Sequence, residues 1–205
     1  HTTPDNRGVT PLIYAIRNNQ YDLVARTIGD TDVNAIANER SGATLLLDTI
    51  AQGNVKIVRL MLDKGGDTER TTKIGATALH LAASSANPTL VNDMLVLGLD
   101  VNAVNKRGNT PLFDAISVGS VNVVQNLLAT GADTNHQNAS GMTPLMLAVN
   151  KENTEITRML LLAGADVNLQ DNEGDTVFAY ALPRRNDAIN SLLENARKQA
   201  AAGTP

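Results

Sequence analysis

GMTPLMLAVNKENTEITRMLLLAGADVN, residues 141–168, reads as one small folded unit. Thr143 is a good helix cap and Pro144 fits the first turn after it, so a short helix is predicted from there through Ala148. The polar stretch NKENTE breaks that helix and starts another. In the second helix Ile156, Leu160 and Leu161 recur at i, i+4 and i+5 and form one apolar stripe. Gly164 suits the left-handed position that ends a helix, and ADVNLQDNEG leads on through an extended turn. The order is helix, turn, helix, hairpin. A pair of this size cannot bury its stripe alone, so neighbours of the same kind must stack on it.

Those neighbours are visible. GNTPL at 108–112 restates GMTPL at 141–145 after 33 residues. The opening glycine recurs at Gly8, Gly42, Gly75, Gly108, Gly141 and Gly174, with intervals of 34, 33, 33, 33 and 33. Two residues on stand Thr10, Thr44, Thr77, Thr110, Thr143 and Thr176, and two further on Leu12, Leu46, Leu79, Leu112, Leu145 and Phe178. Leu23, Ile57, Leu90, Val123, Ile156 and Ile189 keep the same register. A second glycine at Gly65, Gly98, Gly131 and Gly164 precedes Asp67, Asp100, Asp133 and Asp166 by two residues. Chance does not hold these columns in phase across six copies.

The 33-residue period and GATALHLAA at 75–83, together with GNTPLFDAI, GMTPLMLAV and GADVN, resemble the ankyrin repeat, with its T-P-L-H-x-A signature. The resemblance covers essentially residues 5–195. It implies an all-α ankyrin-repeat solenoid: stacked helix–turn–helix–hairpin units, capped at both ends. The chain then reads as a single domain over 1–205, with repeats at about 5–39, 40–71, 72–104, 105–137, 138–170 and 171–197, and a disordered polar tail at 198–205. Departures are local. Repeat one has one residue fewer after its second helix and two more in the following hairpin. Repeat three replaces the usual Gly-His between helices with Ala86-Asn87-Pro88, an alternative cap and first-turn proline. The ends read as caps: Thr27 stands where repeat four has Leu127, and Asn190 and Glu194 where it has Val124 and Leu128.

Composition agrees with a folded, soluble chain of 205 residues, 42% hydrophobic and 19% charged. A net charge of −4 and a pI near 5.3 argue against a general polyanion binder. No cysteine is present, which removes disulfides, thiolate metal sites and cysteine nucleophiles. Apolar runs such as MLLLAGA at 159–165 fall far short of the ~20 residues of a membrane helix, so no membrane insertion is expected. No signal peptide is visible, and a start at His1 rather than Met reads as a processed or trimmed chain. The cytoplasm is the default compartment, with the bacterial periplasm or export as the alternative.

Chemistry is sparse. His80 occupies the H of T-x-L-H, which the resemblance assigns to bracing the loop between repeats. His136 lies in a linker, and two lone histidines in different repeats make no ligand cluster. Asp48 and Asp114 share one first-helix position two repeats apart, so at ~8–10 Å per stacked helix they lie roughly 16–20 Å apart, beyond the ~5–9.5 Å of a glycosidase pair; they read as surface acids. The Asp-x-Asn pairs starting at Asp32, Asp100, Asp133 and Asp166 lack the further oxygens and late glutamate of a calcium loop, and read as side chains pinning turns. Asn138-Ala-Ser140 matches a glycosylation sequon inside a hairpin. No phosphate-binding, dinucleotide, serine-hydrolase or HExxH motif occurs. No enzyme, cofactor or metal is therefore expected.

The ankyrin resemblance implies a partner protein held between hairpin tips and the ends of the first helices. Carried onto this chain, the tip positions are Arg7, Val9, Arg40, Ser41, Ala43, Lys73, Ile74, Ala76, Lys106, Arg107, Asn109, Ser140, Met142, Glu173 and Asp175, and the helix-end positions are Arg17, Asn18, Gln52, Ser84, Ser85, Ser117, Asn150 and Lys151. One feature belongs to this chain in particular. Arg7, Arg40, Lys73, Lys106 and Arg107 put a cation at each of the first four tips, five of the chain's 17 basic residues, whereas tip six is acidic. A partner with an acidic surface is the expectation, bound more weakly as salt rises. Nucleic acid is disfavoured by the negative net charge and by the lack of interleaved basic and aromatic residues. Two Phe, three Tyr and no Trp leave few aromatic anchors. The sequence thus reads as a non-enzymatic, monomeric protein-binding module, with an inhibitor or immunity-type protein that occludes an enzyme's active site as the alternative.

Overall fold

Every Gly-x-Thr phrase after the first glycine opens a short helix in the computed structural model, which describes residues 10–202. The first helices of the six pairs are α1 (Pro11–Arg17), α3 (Leu45–Ala51), α5 (Ala78–Ser84), α7 (Pro111–Val118), α9 (Pro144–Asn150) and α11 (Val177–Ala181). The second helices are α2 (Tyr21–Thr27), α4 (Val55–Asp63), α6 (Pro88–Val96), α8 (Val121–Ala129), α10 (Thr154–Leu162) and α12 (Asp187–Ala202). First helices pack on first helices from α3 through α11, and second helices pack on second helices, as in α6 on α8 and α10 on α12. The chain is thus two layers of helices with the hairpins running along one side.

The core follows the columns of the sequence. Leu46, Leu79, Leu112 and Leu145 are buried, as are Ile57, Leu90, Val123, Ile156 and Ile189. Each such side chain contributes about 1.5–3 kcal/mol by leaving water. The exception is Leu23, 39% exposed although it stands in the Ile57 column. The adjacent column, Val24, Val58, Val91, Val124 and the polar Thr157, is buried throughout, and Asn190 stands half-buried at its last position.

Capping is less uniform than the repeated threonine predicts. The Oγ1 atoms of Thr10, Thr44, Thr77 and Thr143 accept from the amides of Ile13, Leu47, His80 and Met146 at 3.2, 3.2, 3.4 and 3.2 Å. In repeats four and six the third amide turns instead to the threonine carbonyl, Phe113 to Thr110 and Ala179 to Thr176, each at 3.0 Å. Thr110 Oγ1 is left buried without a hydrogen-bond partner. Between α5 and α6, Ala86 takes the left-handed conformation at φ +57°, while Asn87 caps α6 by accepting from the Thr89 and Leu90 amides at 3.1 and 3.3 Å.

Two hairpin details differ from the common unit. The two extra residues before Gly42 let Ile36–Asn38 (β1) pair antiparallel with Ala43–Thr44 (β2), with a register shift between Ile36 and Asn38 that absorbs the insertion. At the other end, α12 continues through Ala202 and so runs into the segment 198–205 expected as a disordered tail. Its KQAAA sequence is rich in strong helix formers, and nothing there breaks the helix already under way.

Candidate functional site

Each hairpin is closed by a side chain near its base. Asn38 Oδ1 accepts from the Arg40 and Ser41 amides, both at 3.1 Å, and Asn105 Oδ1 from the Arg107 and Asn109 amides at 2.8 and 3.2 Å. Asn138 does the same for Ser140 and Met142 at 3.0 and 3.1 Å, and Asp171 for Glu173 and Asp175 at 2.9 and 3.0 Å. A short polar side chain that bonds its own backbone two to four residues on is the standard way to fix such a turn. Sequence reasoning did not give these residues that role, naming only Asn138 and that as a sequon, although Asn105, Asn138 and Asp171 recur three positions before the tip glycine, in phase with the columns it used.

Adjacent tips are then joined through the backbone. The Lys73 amide donates to Ser41 O at 2.7 Å, Lys106 to Ile74 at 2.9 Å, Ala139 to Arg107 at 3.0 Å and Asn172 to Ser140 at 3.1 Å. Such close approach explains the tip glycines. At Gly108 and Gly141 φ is +71° and +74°, and a Cβ would stand 2.7 and 2.6 Å from the amide nitrogens of Ala139 and Asn172. No L-residue with a side chain fits both constraints.

Two histidines brace this ridge from below. The His80 ring is 1% exposed; its Nε2 donates to Asn109 O at 2.9 Å, and its Nδ1 faces Thr77 Oγ1 at 2.8 Å. Burial holds its pKa below the usual histidine value, against the pull of the Asn109 carbonyl. His136 makes the equivalent bond to Gly108 O at 2.7 Å and meets the Phe113 ring edge-on, with centroids 6.3 Å apart. The linker position expected for His136 is therefore a second brace, a role its sequence context did not signal.

The expected contact residues divide into groups. Arg7 and Val9 lie outside the described residues. Arg17, Arg40, Ser84, Lys106, Arg107, Ser117, Ser140 and Lys151 are exposed, and Ile74 is 49% exposed. Lys73 is exposed but committed, its ammonium donating to Glu39 O at 2.6 Å. Asn109 and Met142 are half-buried, and Asn109 Oδ1 accepts from Asn138 Nδ2 at 2.9 Å. That bond and the turn also occupy the Asn138 side chain of the sequon. Ala43 and Ala76, expected beside the tips, are each 4% exposed and offer a partner nothing, because the β-like pairing at the tips turns them inward.

The acids of the face differ from expectation. Asp48 accepts from Gln52 Nε2 at 3.1 Å. Asp114 is half-buried, at a position filled by Leu81 and Leu147 on the neighbouring helices, and makes no hydrogen bond among the described residues. Burial pushes its carboxyl up to about 6, and only the Arg107 charge opposes the shift. The surface-acid reading holds poorly for Asp114, since neighbouring repeats shade it. Toward the last repeat, Tyr180 donates its hydroxyl to Asp171 at 2.6 Å, which holds that carboxyl below the usual range. Burial and the same carboxylate push the phenol up to about 12. Glu173 and Asp175 stand exposed beside them.

Among the described residues, no group of three His, Asp or Glu side chains comes together to hold a metal, and no helix is long and apolar enough to cross a membrane. The family model for ankyrin repeats (three copies) matches the chain over residues 12–105, 46–138, 79–171 and 121–202. No curated protein sequence matches it significantly.

Proposed function

Because the chain belongs to the ankyrin-repeat family, whose repeats are in general protein-binding modules, we propose that it is a non-enzymatic module that holds a partner protein against its hairpin tips and first helices. The partner in this reading presents an acidic surface to the tips of repeats two to four. One observation carries it: Arg40, Lys106 and Arg107 are exposed at the hairpin tips and form no ion pair within 4 Å among the described residues. Cations without a close ion pair keep most of their reach for an approaching surface, Arg107 sharing its charge in part with Asp114. Lys73 contributes less, because it already holds Glu39.

The test uses the purified chain as bait in native extract beside a variant carrying Arg40→Glu, Lys106→Glu and Arg107→Glu. Lys73 is left intact so that the tip contact survives. A protein retained by the wild type, lost by the variant and released by salt supports the reading. Equal retention by both baits removes the ridge from the interface and leaves Ser84, Ser117 and Lys151 as the surface to scan. On-rates measured with the captured partner should fall with ionic strength for the wild type and lose that dependence in the variant.

A further inference from the structure

The Asp-x-Asn pairs do more than close turns. Each asparagine amide donates to the aspartate two residues before it, as in Asn34 to Asp32 Oδ1 at 2.8 Å and Asn102 to Asp100 Oδ1 at 2.9 Å. The asparagine side chain then reaches into the next repeat. Asn34 Nδ2 donates to Gly65 O at 3.0 Å while its Oδ1 accepts from the Asp67 amide at 2.7 Å. Asn102 bridges to Gly131 O and the Asp133 amide at 3.2 and 2.8 Å, and Asn135 to Gly164 O and the Asp166 amide at 3.3 and 2.8 Å. A primary carboxamide is the neutral side-chain group that sets a donor and an acceptor side by side, so the same geometry recurs at three junctions.

At the junction of repeats two and three that residue is Glu69. Its backbone follows the pattern, with the amide donating to Asp67 Oδ1 at 2.9 Å. Its carboxylate has no proton to give a carbonyl at neutral pH, and Asp67 and Asp100 lie on the same strip of chain. Glu69 is exposed, and neither Gly98 O nor the Asp100 amide has a protein partner among the described residues. Between them lies a groove of about 250 Å³, lined by Thr68, Glu69, Thr77, Gly98 and Asp100. Its donor and acceptor are the pair that a carboxamide satisfies at the three other junctions.

We propose that this groove is a recognition subsite for a primary carboxamide, the Asn or Gln side chain of a bound polypeptide. The incoming amide nitrogen donates to Gly98 O, its oxygen accepts from the Asp100 amide, and Glu69 on the groove wall is placed to accept the second amide proton. A carboxylate or an aliphatic side chain of the same size is rejected, the first by Glu69 and Asp100, the second because it leaves both backbone groups unanswered. This subsite stands apart from the basic ridge and does not rest on it.

The experiment is an amide NMR titration of the ¹⁵N-labelled chain with N-acetyl-asparagine N′-methylamide, beside its aspartate counterpart. The Asp100 amide proton should move downfield and saturate, with half-saturation on the order of 100 mM, the weak binding that two exposed hydrogen bonds afford. The amides of Asp67, Asp133 and Asp166, already bound by asparagine, should not respond. In Glu69→Asn the Asp100 amide should start downfield and no longer respond. The proposal is overturned if Asp100 does not shift, if the aspartate probe shifts it equally, if the three bonded amides respond alike, or if Glu69→Asn leaves Asp100 unshifted or still responsive.

Discussion

Between repeats four and five, Asn135 bridges to Gly164 and Asp166, and Gly108, whose carbonyl is held by His136 of its own repeat, lies directly against the Ala139 backbone. Between repeats two and three, Glu69 makes no bridge, the atom nearest a Cβ on Gly42 is Lys73 Cγ at 2.8 Å, and the second helices are tied by the Arg59–Asp93 ion pair at 2.7 Å. The first junction is closed by neutral groups with fixed geometry. The second keeps its backbone tip bond from Lys73 to Ser41 at 2.7 Å but adds charged side chains, Arg59 being largely exposed, where the first has a neutral bridge. One repeat design thus yields a stiff joint and a soft one, and the residues that decide which are few.

The largest expected effect lies at the stiff joint. Gly108→Ala should cost about 2–4 kcal/mol, because the left-handed conformation is unfavourable for alanine and the new Cβ meets backbone rather than a movable side chain. Gly42→Ala should cost about 1–2 kcal/mol, the conformational part alone, since the Lys73 side chain can move aside. Denaturant unfolding of both variants checks the order, and equal costs would erase the distinction between the two joints.

The acids of the two regions should part next. Asp114 has a folded-state pKa raised to about 6, so its contribution to stability is full below the unfolded carboxyl value and is lost as pH rises through about 6. Asp114→Asn should therefore raise stability at pH 7 by on the order of 1–2 kcal/mol, discounted for its partial exposure, with little gain near pH 4. His80 titrates with the opposite sign, its contribution present above the usual histidine value and lost as pH falls through its lowered pKa. The wild-type-minus-variant difference isolates Asp114. Asp48→Asn, at the soft joint, should be nearly neutral because Gln52 can still bond it.

The two smallest effects act on the bridge itself. Asn135→Ala should cost about 1 kcal/mol by removing two exposed hydrogen bonds, and Glu69→Asn should add about 0.5–1 kcal/mol by supplying them at the soft joint. Amide hydrogen exchange should respond in step, with faster exchange at Asp166 in the first variant and slower exchange at Asp100 in the second. If Glu69→Asn changes neither stability nor Asp100 exchange, the two joints are equivalent and the ladder is ornamental.

Much of this architecture was legible because a repeat writes its structure locally. The helix pairs and tip glycines follow from residues a few positions apart restated in phase, the turn-pinning role of Asp-x-Asn from four such pairs, and the His80 brace from the ankyrin resemblance alone. The amphipathic columns also showed which faces pack inward, and Thr27, Asn190 and Glu194 stood out of them as polar. Leu23 lay beyond that reading, because its column is apolar in every copy while its own side chain is 39% exposed.

What the tertiary structure alone decided are pairings across the stack. Lys73 holding Glu39, His136 holding Gly108 and Asn135 holding Gly164 join residues about one repeat apart, at separations of 34, 28 and 29. The desolvation of Asp114 is likewise a property of the folded chain. Sequence by itself determined the repeat, its helices and its turns, since those depend on neighbours along the chain. Which cations remain free, which acid is desolvated and which junction lacks its bridge depend on neighbours in space, and stacking brings those together.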